Sequence, residues 1–305
     1  MGHTYLRKII FSSSLLLSLQ CGIAQPFIDI INTSYQGINT TYKVDSVLKN
    51  NKTENVFLNL TVPVKLDSQN TLIVRFYGER LMSKITDYSP NWYSDFTEGA
   101  LSSALLPIGL QHETKSKKWK YLGLVMPKFS GEGALFDSNN FQLGGFGTAT
   151  YSKGKNFKIR FGMFYNREFF GNFFIPVFGI DWRANPKFQM YGTLPNNYRF
   201  EFACIDKFLY AGIGLKSYTR TYRTSKDSSS YYVRNNEMQI KAFVDLYFAK
   251  KFVLFGEFGR TLNYSPLLYL SGTKDLAPNP GVYSPIKDAF FFNVGIAYRI
   301  RFDFI

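Results

Sequence analysis

The most constraining feature of this sequence is an apolar/polar alternation that persists longer than a strand of an ordinary sheet requires. In the last segment Phe292, Val294, Ile296, Tyr298, Ile300, Phe302 and Phe304 fall on one face, and Asn293, Gly295, Ala297, Arg299, Arg301 and Asp303 on the other. Residues 56–66 repeat the pattern, with Val56, Leu58, Leu60, Val62, Val64 and Leu66 opposite Asn59, Thr61 and Lys65. Residues 157–166 do so again, with Phe157, Ile159, Phe161, Met163 and Tyr165 opposite Lys158, Arg160 and Asn166. Period two is the signature of a strand, because successive side chains point to opposite faces. A soluble sandwich keeps its polar face outside and its strands short. Here the strands run to about ten residues and the apolar face ends in aromatic rings, as in a transmembrane barrel whose outside is lipid.

Cutting the chain at its turn signals gives about fourteen segments, within a range of 12 to 16. They lie near 37–45, 55–66, 71–83, 100–113, 118–129, 141–153, 156–167, 173–183, 187–195, 197–206, 208–223, 236–249, 251–265 and 289–304. Every second connection is short, down to the single Lys250. The alternate connections include long ones near 84–99, 130–140, 224–235 and 266–288, the last carrying Pro266, Pro278, Pro280 and Pro285. Tight turns on one side and long loops on the other are the connectivity of an up-and-down antiparallel β-barrel in the outer membrane, with both termini periplasmic. The short connection at residues 194–197 departs from the rule. Residues 25–36 read as a short periplasmic lead-in. Trp119, Tyr121, Trp182, Phe302 and Phe304 fall where interfacial girdles belong.

The first residues carry Arg7 and Lys8, then an apolar stretch broken by serines, then Gly22-Ile23-Ala24. This is the layout of a signal peptide cut before Gln25. Cys21 would suit a lipoprotein, but Gln20 before it is bulky. With Cys21 in the leader only Cys204 remains, so no internal disulfide is available. Aromatic residues make up 18% of the chain, with 31 Phe and 21 Tyr. After residue 24 no apolar run reaches the ~18 residues of a spanning helix. The net charge of +14 is spread through turns, for example Lys115, Lys117, Lys118, Lys250 and Lys251, rather than gathered on a helix. Such charges are solvated turn residues, and no nucleic-acid partner is expected.

Residues 109–183 resemble a family of outer-membrane β-barrels known as a domain of unknown function (family 6268). The resemblance is carried by Tyr121-Leu122-Gly123-Leu124-Val125-Met126-Pro127-Lys128, by Gly144-Gly145-Phe146-Gly147, and by the run from Phe161-Gly162-Met163 to Phe169-Phe170-Gly171. Ile175-Pro176 and Gly179-Ile180-Asp181-Trp182 continue it. It implies an exported membrane barrel and assigns no catalytic or binding residue.

Catalytic constellations are sparse. A serine hydrolase needs a histidine base beside its nucleophile. After the leader the sole histidine is His112, in phase with Leu106, Ile108 and Leu110 near a tight turn. One histidine and one cysteine make no metal site, and no loop spells a calcium motif, so no cofactor is expected. Cys204, in phase with Tyr198, Phe200 and Phe202, reads as a small apolar residue facing lipid.

The polar faces of the strands do stand out. Arg160, Asp181, Arg183, Arg199, Glu201, Lys241, Asp245, Glu257, Arg299, Arg301 and Asp303 all fall on them. A lumen spares these groups the ~2–4 kcal/mol cost of an Arg or Lys facing lipid at midplane. In one reading opposite charges pair across strands and fill the barrel, Glu257 with Lys241 for example. In the other they line a water-filled channel that selects a small solute by charge. The function expected is a non-enzymatic pore or solute-binding barrel. The alternatives are a surface-interaction barrel acting through loops 84–99 and 266–288 and, further off, a lipid hydrolase. Outer-membrane lipid, and the barrel-assembly machinery during insertion, are the partners expected.

Overall fold

The computed structural model describes residues 26–44, 47–85, 100–133, 135–224, 231–276 and 289–302. Fifteen strands lie in one sheet. They are β1 (Phe27–Val44), β2 (Val47–Lys65), β3 (Asn70–Ile85), β4 (Leu101–Leu105) and β5 (Ile108–Glu113). Then come β6 (Trp119–Glu132), β7 (Phe141–Ser152), β8 (Phe157–Glu168), β9 (Gly171–Arg183) and β10 (Phe188–Thr193). The last five are β11 (Asn197–Ile205), β12 (Leu209–Arg223), β13 (Tyr231–Phe248), β14 (Phe252–Leu270) and β15 (Ala289–Arg301).

Consecutive strands pair antiparallel, β4 with β5 excepted, and β1 pairs with β15, so the sheet closes on itself. Short β4 and β5 are two halves of one wall position, both between β3 and β6. The break falls at Pro107, which has no amide hydrogen for the ladder. Its carbonyl still accepts from the Arg75 amide at 2.9 Å, and the Leu106 amide donates to Pro127 O at 2.9 Å. The wall therefore counts fourteen strands, as the periodicity predicts. Closure through β1 and β15 removes the two terminal sheet edges.

One expectation needs correction. Residues 27–36 are not a lead-in; they are the first half of β1, paired with β15 from Phe27↔Arg301 onward. A register shift between Asp29 and Ile31 breaks the alternation there. Residues 1–25, the loop residues 86–99 and 277–288, and Asp303 through Ile305 lie outside the described residues.

The outward phase is apolar on strand after strand: Val62, Val125, Phe161, Phe174, Ile213, Phe258, Phe290 and Val294 are all exposed. Exposed side chains of this kind in a closed band are lipid-facing. Rings crowd the end with the tight turns. Trp119 lies 5.0 Å from Tyr151 and 6.1 Å from Tyr121, Phe252 stacks on Phe248 at 5.8 Å, and Trp182 is exposed. The β13–β14 turn places Ala249 and Lys250 both at positive φ, 49° and 66°, the twist that joins two paired strands through two residues.

Candidate solute-binding lumen

The inward phase holds the charges, and most of them are paired. Near the tight turns Arg299 on β15 meets Asp29 on β1 at 2.5 Å and Asp245 on β13 at 2.7 Å. Arg199 on β11 reaches the same Asp245 at 3.1 Å, and its guanidinium lies 3.5 Å from the centre of the Phe243 ring. Arg301 pairs with Glu201 with neither side chain exposed. Glu201 also accepts from Gln189 at 2.6 Å and from Tyr191 at 2.7 Å, so both carboxylate oxygens are held. Higher up, Lys241 and Glu257 pair at 2.7 Å across the β13–β14 hairpin, and Asn293 donates to Glu257 at 2.9 Å.

Asp181 on β9 does two things. It pairs with Arg160 on β8 at 3.1 Å, and it accepts the Gly192 amide at 3.0 Å where the β9–β10 ladder is interrupted. Gly192 sits at φ +134°, and a Cβ there would run into the Asn197 carbonyl, so only glycine fits. Arg183, two residues on, is exposed at the end of β9. Asp303 falls outside the described residues.

These pairs cross the barrel rather than merely lining it. Counting along the wall, Arg301 and Glu201 stand four strands apart. Phe27 on β1 and Tyr191 on β10, with ring centroids 5.8 Å apart, stand six apart in a wall of fourteen. The turn end of the lumen is therefore spanned almost from side to side.

A second crossing lies toward the loop end, where β12 parts from β11 while staying paired with β13 as far as Arg223. Above the Asn197↔Lys216 pair β12 has no β11 beside it, and its far end bridges β6 at Arg223↔Gly131. One face of the displaced segment meets β3 and β13, with Arg220 at 2.9 Å from Glu79 and 3.0 Å from Glu237. The other face presents Thr221, fully buried. Its carbonyl accepts from Ser130 at 2.6 Å, and its hydroxyl accepts from Gln142 at 2.9 Å and donates to Glu168. Tyr222 joins Leu81, Leu101 and Val233 in a small apolar cluster beside it.

Between the two crossings the wall is two-sided. A single hydrogen-bonded row across seven wall positions brings Pro63, Ile73, Gly109, Leu124, Phe146, Phe164 and Ile175 into line on the inner face. Phe146, Phe164 and Ile175 are only half-buried. The wall on the other side offers amides: Gln239 Oε1 and Asn293 Oδ1 are buried with no hydrogen-bond partner. A buried polar atom without a partner is costly and marks a place for water or a ligand.

Asp29, Glu79, Arg220 and Thr221 were not among the sequence candidates. Asp29 was hidden in the supposed lead-in. Arg220 carries a readable signal, since it is in phase with Lys216, Tyr218 and Tyr222. Thr221 carries another: the outward phase of β12 turns from Ala211, Ile213 and Leu215 to Ser217, Thr219 and Thr221 where the strand leaves the lipid.

His112 lies on the outward phase of β5, bonded through Nδ1 to Asn70 Oδ1 at 2.8 Å, away from the lumen charges. Cys204 is exposed on the outward phase of β11. Among the described residues no group of His, Cys, Asp and Glu converges as a metal site.

The structure defines a closed fourteen-stranded β-barrel of the outer-membrane type, with a lipid-facing belt and a lumen crossed at two levels. Residues 20–299 match the family described as Domain of unknown function (DUF6268), and the chain belongs to it. No curated protein matches the chain. Among solved structures it is similar to an outer-membrane channel from Pseudomonas putida F1, at 11% identity and TM-score 0.45, covering 88% of this chain and 94% of that one. It is similar also to the P. putida toluene transporter TodX, at 10% identity and TM-score 0.47, covering 89% of each chain. The NanC porin shows 9% identity and TM-score 0.38, covering 88% of this chain and 100% of that one. Likenesses this distant carry nothing about solutes.

Proposed function

We propose that the chain, exported by a leader in residues 1–24, is an outer-membrane barrel with both termini periplasmic that binds and passes a small solute. It is non-enzymatic and closed at rest. The observation that carries this reading is the pair of wall-to-wall crossings with two unpartnered amide oxygens and an apolar row between them. Gln239 donates to Glu237 and Asn293 to Glu257, but the amide oxygen of each is buried without a donor, and a solute can supply one. The paired charges hold the crossings shut, so selection falls to the space between them.

Liposome swelling tests it. Vesicles carrying the refolded wild-type protein should admit arabinose slowly, and Arg301→Ala combined with Arg220→Ala, which loosens both crossings, should raise the rate at least tenfold. Equal rates in both would count against gates at these crossings.

A further inference from the structure

The wall has a break on one side, between β9 and β12. Below it β10 and β11 form a short hairpin whose tip, residues 194–196, bonds to Phe178 on β9 and to Ser217 on β12. Above that tip β9 continues to Gly171 and β12 to Arg223 with no strand between them. At the loop end the break is closed again. Phe169 and Phe170, at the β8–β9 tip, pack against Tyr232, and the Phe169 carbonyl accepts the Gly272 amide at 2.8 Å. The break is thus a window, bounded below by the hairpin tip and above by the contact of Phe169 and Phe170 with Tyr232.

The window opens onto hydrocarbon. From Phe188 the β10 arm climbs only to Leu194, about 16 Å in height for a tilted strand, against an apolar band about 25 Å tall. Phe174, exposed on the outward phase of β9, flanks it.

Free strand edges are not tolerated in lipid unless their polar groups are dealt with, and one group on each edge here is. Phe178 directs its N–H and carbonyl toward Leu194, so the next residue of β9 directed into the window is two positions on. That residue is Pro176, which has no N–H to leave unpaired. On β12 the Thr221 carbonyl is taken by Ser130 from across the lumen.

Inside the window lies the end of the apolar row. Ile175 is one residue from Pro176, and Phe164, Phe146 and Leu124 follow at the same level on the next three strands. We infer that the window is a lateral portal: a small amphipathic molecule dissolved in the outer half of the bilayer enters between β9 and β12. Its apolar body lies along Ile175, Phe164 and Phe146, and its polar end meets one of the two amide oxygens, Gln239 Oε1 or Asn293 Oδ1. This rests on the solute-binding reading and names the class of solute.

The test uses the refolded full chain in phosphatidylcholine vesicles, with Phe164→Trp as reporter and Trp92, Trp119 and Trp182 replaced by Phe. Heat-modifiable migration checks folding, and Phe146→Trp serves if the first reporter does not fold. Quenching by 11-bromo-1-undecanol, which partitions into the bilayer, should exceed quenching by aqueous iodide at least fivefold. Adding Thr219→Phe at the rim should cut the bromoalcohol quenching at least threefold. Stronger quenching by iodide, quenching by neither, or indifference to Thr219→Phe overturns the portal. Arabinose entry in the same vesicles reports separately on the transport reading, which survives if iodide is the quencher that enters.

Discussion

Arg301 on β15 and Glu201 on β11 are 100 residues apart in sequence and four strands apart in the wall, yet form an ion pair sealed from solvent on both sides. Arg301 also donates to the Tyr247 hydroxyl at 3.3 Å and lies 3.7 Å from the centre of the Tyr210 ring. Removing one partner of such a pair strands the other charge, at a cost of about 3–5 kcal/mol. Glu201→Ala should lower the urea midpoint of refolded barrel accordingly. Replacing both partners by Leu and Met should recover most of the loss. A double variant as unstable as the single one would show that the pair is not the source.

Asp181 holds both Arg160 and the Gly192 amide, so its removal opens the β9–β10 junction from two sides. Asp181→Leu should cost more than Arg160→Leu, by about 1–3 kcal/mol for the buried amide left unmade. Paired urea titrations decide the order, and equal losses would contradict the second role.

The belt makes a prediction of its own. Ile213 is 59% exposed on the outward phase of β12, and Ile213→Arg should destabilise the inserted barrel by about 2–4 kcal/mol, while Ile213→Phe should be near neutral. Folding into phosphatidylcholine vesicles measures both. A neutral arginine would mean that this face does not meet lipid.

The β2–β3 turn is pH-sensitive. Asp67 accepts from the Asn70 side chain and from the amides of Gln69 and Asn70, and these bonds hold its carboxyl below the ordinary 3.8. A lowered folded value means the turn's contribution is complete above the ordinary carboxylate range and is lost as pH falls through the folded value. The stability of wild type should therefore fall below about pH 4 with a component missing in Asp67→Ala. Urea titrations at pH 6 and pH 3 compare the two slopes; parallel slopes would exclude the turn as a contributor.

The strands were legible because lipid outside and polar lumen inside impose period two, and the regular runs of β2, β8 and β15 expose it directly. Lys241 with Glu257 was legible too, since hairpin neighbours follow from the turn alone. The first half of β1 was not, because the register shift at Asp29 and Ile31 breaks the period that marks a strand. Arg301 with Glu201, and Arg220 with Glu79, depend on how the closed wall is folded across itself. Periodicity gives the inward phase of each residue but not which wall it faces. The departure of β12 did leave a trace in Ser217, Thr219 and Thr221, polar residues in what would otherwise be lipid-facing positions.

The central claim is that the lumen is shut by side chains rather than open through water. Single-channel recording of the refolded wild-type barrel in planar bilayers tests it most directly. The account predicts no sustained conductance from barrel shown by migration to be folded. Steady conductance in wild type would contradict it.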